Sequence, residues 1–479
     1  MSIELPTECL IKIFEFIHHD YATLHSCSLV NRQWGAVAIP MLWEEPLMNL
    51  DQCDKIHMPI TTYIMCLSDE AKTILSKCDI KITPTLKRRP TFNYASYLRR
   101  LDNITLFDAV EMWIKKCNII PREEQCFIPI FPVYQLLEQL LRNFMKNCDN
   151  LIQLRLRKSD RVKCLSDALL ELHLLPEAEK SLSRLNEFSF DGCMDPKILF
   201  KASVISKNIQ HLNIDCVCFD NEGLAKLIQA QQKPLLSLSM ETTTNSKLPN
   251  IESSLKNKVK SLTSLIIHKI FSLDVFSNCK DLERLIITHR ECFGENLMKK
   301  FINSDFHKLH ELQLQLDHPY LYQISTLIKN TNGNLTSLYL YWITPQDTNN
   351  FSLLIITIIM NCPNLTEYLG SYANEVINYY LPLFFEKCSK LEYFYIYDDN
   401  SAFYDISKVM KSISKVIPKN LKMMWLSEGW ICNIEALNLF LESCEKQLSE
   451  PLIFFICNRT RQHDEIIRKY IDKNVLSVQ

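Results

Sequence analysis

Glycine is scarce in this chain: 7 residues of 479. That leaves little room for the glycine-rich loops that cradle phosphates, and no GxGxxG or GxxxxGK[ST] string occurs. HExxH and G-x-S-x-G are also missing, so the familiar zinc-protease and hydrolase chemistries have no anchor here. The 19 cysteines, an odd number, include no C-x-x-C pair. The nearest approach, Cys216-Val217-Cys218, has no matching second pair for zinc. No metal, no cofactor and no catalytic residue is expected, and ubiquitous small buried thiols are the expected state of the cysteines. An excess of one charge is lacking too. Lys and Arg number 53 against 55 Asp and Glu, a formal net charge of −2. A broad polyanion-binding surface does not follow from such a balance, so no nucleic acid is expected as partner. Long apolar runs are absent. Leu353–Met360 falls far short of the ~20 residues that span a bilayer. The apolar stretch Leu10–Ile17 is interrupted by Lys12 and Glu15. No signal peptide and no membrane contact are expected, and the chain reads as soluble, cytoplasmic and/or nuclear.

What the chain does contain is a repeat. The template L-x-x-L-x-L, with other apolar residues allowed, starts at Leu151, Leu185, Ile209, Leu235, Leu262, Leu282, Leu309, Leu335, Leu365, Leu391 and Leu421. Leu452 and Phe455 make a degenerate last copy. From Leu262 onward the starts are 20 to 31 residues apart, which brackets the leucine-rich repeat period of 20–29. L-x-L is a short strand with leucines to one face and the intervening residues to the other. Helical patterns at Leu321–Ile328, Ser352–Met360, Leu381–Cys388 and Ala436–Cys444 lie between the strands. Each strand–helix unit exposes apolar faces that only its neighbours cover. An ordinary α/β domain with parallel strands is the plainer alternative. Cysteines preceding the repeat leucines, as in Asn147-Cys148, Asn278-Cys279, Asn361-Cys362 and Lys387-Cys388, belong to the repeat rather than to redox chemistry.

The first 45 residues follow another rule. Leu10, Ile13, Phe14 and Ile17 recur at helical spacing after Leu5-Pro6. His18-His19-Asp20 breaks the stripe, and a second one runs through Leu24, Cys27, Ser28, Leu29, Val30 and Trp34. Gly35 and Pro40 read as punctuation, before Leu42-Trp43. So small a unit has difficulty burying enough surface by itself. It is either a helical cap on a larger domain or a module that needs a partner helix. The order Leu5-Pro6, Val30-x-Arg32-x-Trp34 and Leu42-Trp43 resembles the F-box, the module that docks substrate receptors onto SCF (Skp–cullin–F-box) ubiquitin ligases. With the repeats, nearly the whole chain resembles the F-box/leucine-rich-repeat class, although the repeats diverge and lack a regular Asn after the third leucine.

The resemblance implies an α/β fold: a three-helix F-box over 1–46, a helical connector over 47–95, and a curved solenoid of about 12 repeats over 96–479, strands concave and helices convex. It implies a non-catalytic substrate-recognition subunit of an SCF-type ligase. The partners would be a Skp-type adaptor, cullin and RING subunits through it, and a protein substrate. A protein-interaction scaffold that drives no ubiquitination is the alternative. Adaptor contact carries over to Leu5, Pro6, Ile11, Ile13, Phe14, Leu24, Leu29, Val30 and Trp34, some of which must instead form the module's own core. In the connector, Ser68–Cys78 reads as a helix capped by Ser68, and Lys87-Arg88-Arg89-Pro90 as a solvated basic loop or a nuclear-import signal. Val133–Met145 reads as an amphipathic helix. Among outward strand positions, Tyr339, Tyr341, Tyr393, Tyr395, Tyr397 and Trp425 form an aromatic zone, either a substrate interface or a set of neighbours packed on each other. Arg155 and Arg157 are candidates for an acidic or phosphorylated partner.

Overall fold

The computed structural model describes residues 5–47, 55–116, 130–157, 177–243, 247–268, 279–289, 304–316, 321–341, 348–371, 374–397, 403–426, 429–456 and 458–477. The chain divides into two compact units: Met1–Val217 with Asn221–Lys233, and Cys218–Asp220 with Pro234–Gln479.

The first unit begins with α1 (Thr7–Phe16), α2 (Tyr21–Ser28) and α3 (Arg32–Leu42). Pro6 stands just before α1, and its carbonyl accepts from the Cys9 and Leu10 amides. Asp20 caps α2 through the Thr23 amide and Asn31 caps α3 through that of Trp34. Gly35 and Pro40 do not punctuate; both lie inside α3. A Cβ on Gly35 would stand 3.0 Å from the Ser28 carbonyl oxygen, so glycine is what lets α2 and α3 approach. Pro40 falls in the last turn of α3, which closes through Trp43 N–H to the Ile39 and Pro40 carbonyls.

The connector is helical: α4 (Met58–Met65), α5 (Asp69–Lys77), the short α6 (Pro84–Lys87) and a 3-10 turn at Tyr94–Tyr97. Ser68 caps α5 by accepting from the Ala71 amide. Trp43 stacks edge-on to Tyr63 at 5.2 Å and against Tyr94 at 4.3 Å, and Tyr63 in turn meets Phe144. The Glu44 carbonyl accepts from Arg99 and Arg100, and the Glu45 carboxylate pairs with Arg100 at 3.0 Å. The helical module is therefore bonded directly to β1 (Arg100–Asp102). Next come α7 (Asn103–Lys116) and α8 (Ile130–Asn147), then β2 (Gln153–Leu156), β3 (Glu187–Asp191) and β4 (His211–Val217). Strands β1 to β4 pair in parallel and in order, with Leu154, Phe188 and Leu212 in register.

The second unit repeats the scheme through β5 (Ser237–Thr242), β6 (Ser264–Ile267), β7 (Arg284–His289), β8 (Glu311–Leu316), β9 (Ser337–Tyr341), β10 (Glu367–Ser371) and β11 (Tyr393–Tyr397). β13 (Met423–Leu426) and β15 (Ile453–Ile456) continue the ladder, while β12 (Tyr404–Asp405) and β14 (Trp430–Ile431) pair separately. Every step is parallel. One row runs Leu238, Leu265, Leu285, Leu312, Leu338, Tyr368, Phe394, Met424, Phe454, and all nine side chains are buried. The leucine template is thus the register of the sheet, strand after strand, as a leucine-rich repeat requires. Two copies deviate. At Gly370 a Cβ would run into the Tyr368 phenol; the tyrosine occupies the place of the third leucine. In the last copy Phe454 and Ile456 are buried, while Phe455 faces the other way. Ile453-Phe454-Phe455-Ile456 has no polar residue to reveal its alternation, and the sequence expectation was one residue out of register.

Candidate binding surfaces

The N-terminal helices share one small core: Leu10, Phe14, Leu24, Val37 and Ala38, with Trp34 and four other partly buried apolar residues packed against it. Phe14 and Trp34 meet edge-on at 5.4 Å. Phe14 and Leu24 are therefore core residues, and Trp34 leans on that core. The remaining expected contact residues stay outside. Pro6 is exposed, as are Leu5, Ile11 and Ile13, while Leu29 is 73% and Val30 58% exposed. Gln33 holds the Leu5 carbonyl at 2.8 Å, which ties the start of the chain to α3. Phe16, 91% exposed, belongs to the same set, and the sequence reading missed it. The signal was there: Ile13 and Phe16 stand three apart, a second stripe beside Leu10–Phe14. Helix α1 is apolar on more than the face its own core covers.

In the second unit, parallel register sets the outward residues in rows. One row reads Gln313, Tyr339, Leu369, Tyr395, Trp425, Phe455. Tyr395 and Trp425 meet edge-on at 6.4 Å. The Tyr339 hydroxyl donates to the Glu367 carboxylate. Burial pushes the Tyr339, Tyr341 and Tyr395 phenols up from their usual titration range, aided at Tyr339 by that bond to Glu367. Tyr393 stands one row over, level with Glu367 and Met423. The Tyr397 backbone pairs with Ser371; its side chain lies outside the described set. Leu369 and Phe455 complete the row; both break the alternation of apolar inward and polar outward residues.

The two arginines of the first unit face carboxylates of their own chain. Arg157 donates to Asp102 at 2.7 Å, and Arg155 lies 3.8 Å from Glu187. The Arg157 backbone exchanges hydrogen bonds with the Asn103 side chain. Among the described residues, one group has metal-ligand spacing: Asp191, Cys193 and Cys216, within 4.8 Å of one another. Cys193 is disulfide-bonded and so offers no thiolate, an exception to the expected buried thiols. The repeat cysteines Cys148, Cys279, Cys362 and Cys388 are free and buried, and burial raises their thiol pKa, to about 12 at Cys279 and Cys388. No helix among the described residues is long and apolar enough to cross a membrane.

Residues 3–49 match the F-box-like family model. No curated protein matches the chain. Among solved structures, the yeast Rad7–Elc1 complex is similar at TM-score 0.38 and 15% identity, covering 77% of this chain and 86% of that one. An internalin (inlF) from Listeria monocytogenes follows at 0.35 and 14%, covering 75% and 92%. A chain of the Drosophila Toll–Spatzle complex gives 0.33 and 12%, covering 70% and 42%. The N-terminal helices, with their core and their uncovered apolar side chains, are thus F-box-like, and they lead into a leucine-rich-repeat ladder of parallel strands.

Proposed function

We propose that the chain is the substrate-recognition subunit of an SCF-type ubiquitin ligase, working where such ligases work, in cytoplasm and/or nucleus. One observation carries the reading. Six apolar side chains of the F-box-like segment, Leu5, Ile11, Ile13, Phe16, Leu29 and Val30, are exposed although the segment has its own packed core. Apolar side chains left exposed beside a packed core are candidates for an interaction site, and an F-box is where a Skp-type adaptor docks. Adaptor contact is assigned to those six with Pro6, while Phe14, Leu24 and Trp34 hold the module's shape. The aromatic row of Tyr339, Tyr395 and Trp425, with Tyr341, Tyr393 and Tyr397 on the same strands, supplies the substrate face. Large aromatic side chains are the usual anchors of protein interfaces. Arg155 and Arg157 join such a face only by exchanging their internal carboxylates for those or the phosphates of a partner.

The experiment is a pull-down of the full chain with a Skp-type adaptor and cullin. Co-purification of both, lost when Leu29 and Val30 become Asp, supports the proposal. Capture of the adaptor without cullin would make the protein a scaffold, and no adaptor binding would sink the reading. Tyr395→Ala with Trp425→Ala should leave adaptor capture intact and abolish substrate capture.

A further inference from the structure

A cavity of about 650 Å³ lies in the first unit, lined by none of the residues of either surface above. Its walls are the start of α5 with the residues leading into it, the 89–93 segment, and one face of α8. The volume is that of a small-molecule site, roughly 300–1,000 Å³. Three cationic side chains line it, Arg89, Arg142 and Lys146, against one carboxylate, Glu70. The lining thus carries a formal +2 (3 − 1) in a chain whose net charge is −2.

The cations differ in how they are held. Glu138 fixes Arg142 through two bonds, Nε at 3.1 Å and Nη2 at 2.7 Å, both to Oε1. A guanidinium has five N–H donors, so three remain to face the cavity or solvent. Arg89 lies 3.9 Å from Asp69, and both are largely exposed. Lys146 makes no ion pair among the described residues. Beneath them runs a relay of amides. Asn93 Nδ2 donates to Asn147 Oδ1, and Asn147 Nδ2 donates to Asn143 Oδ1. The relay ends on Asn143 Nδ2, which is buried and has no partner. A buried donor left without an acceptor costs about 1–3 kcal/mol. Met65, Ile74 and Phe92 give the same cavity an apolar wall. The basic run Lys87-Arg88-Arg89-Pro90 gains a use here, since Arg89 and Pro90 are part of the lining.

We propose that this cavity binds a small organic phosphate. Its phosphate oxygens would sit among Arg89, Arg142 and Lys146, and its organic body against Met65, Ile74 and Phe92. Several donors converging from two walls suit a tetrahedral dianion better than a planar carboxylate, and arginine forks match phosphate geometry. The inference is independent of adaptor docking.

Calorimetric titration of the full chain with ADP, inorganic pyrophosphate and adenosine tests it. ADP and pyrophosphate should each saturate one site, and adenosine should not. R89Q and K146Q should each weaken ADP binding about tenfold, the loss of one charge-assisted contact, with the thermal midpoint unchanged because both side chains are exposed. Adaptor capture should be the same in both variants. The proposal is overturned if neither ADP nor pyrophosphate binds saturably at millimolar concentration. It is overturned equally if the R89Q/K146Q double variant binds both as the parent does, or if adenosine binds as tightly as ADP.

Discussion

The F-box-like helices and the strand ladder treat apolar residues in opposite ways. Along the ladder every residue of the Leu238-to-Phe454 row is buried. In the F-box-like segment, Leu10, Phe14 and Leu24 are buried while Phe16, Leu29 and Val30, as apolar as any of them, face out. Each repeat finds its cover in the next repeat, because the chain supplies both sides of every contact. A unit of three short helices cannot do so, and it leaves apolar side chains uncovered. The outward rows show a milder form of the same contrast. In the first unit Arg155 and Arg157 are occupied by their own chain's acids, whereas in the second Tyr395 and Trp425 display partly exposed rings.

Substitutions can break this contrast at either end. The largest effect is expected at a ladder position. Leu312→Ala, at a fully buried site, should cost about 2–5 kcal/mol, read as a lower urea midpoint. Arg157→Ala strands the carboxylate of Asp102, whose side chain is 4% exposed. Its other oxygen still accepts from the Ile104 and Thr105 amides, so the loss should be smaller, about 1–3 kcal/mol. It is measurable by the same titration, and an unchanged midpoint would show the pair to be idle.

Buried thiols add a pH dependence. Burial raises Cys279 and Cys388 to about 12 and Cys432 to about 11, from the ordinary 9.0. A native pKa above the unfolded one means that the folded chain keeps protons the unfolded chain loses. Their contribution is whole below pH 9 and is lost as pH rises from there towards 11–12. The urea midpoint should fall between pH 9 and 11, and these thiols should resist a thiol reagent at pH 8 until the chain unfolds. The smallest effect is expected at the other end of the comparison: Phe16→Ala should move the midpoint by less than about 0.5 kcal/mol while weakening adaptor capture. A large loss of stability there would mean that Phe16 has a packing role inside the chain.

The ladder was legible because leucine recurs with a period of two inside each strand and at repeat distance between strands. It blurred at Ile453–Ile456, where four apolar residues in a row hide which face is which. The helices around Ser68 and Val133 were legible from capping and amphipathic spacing. Gly35 and Pro40 misled, since glycine was required by a close helix approach and proline fell in a final turn. Which apolar residues of the first 45 form a core was not legible, because α1 carries apolar residues on several faces and only tertiary contact selects Leu10 and Phe14. The pairing of Arg157 with Asp102 was equally hidden, for the partners are 55 residues apart. The cavity beside α8 joins three segments that no local pattern connects.

The most direct measurement is the affinity of a Skp-type adaptor for the chain and for its Leu29→Asp variant, taken with the urea midpoints of both. Affinity should fall at least about thirtyfold, as for a hot-spot residue, with the midpoint unchanged. Equal affinity for both proteins would contradict the reading of the exposed apolar residues of the F-box-like segment as a docking surface.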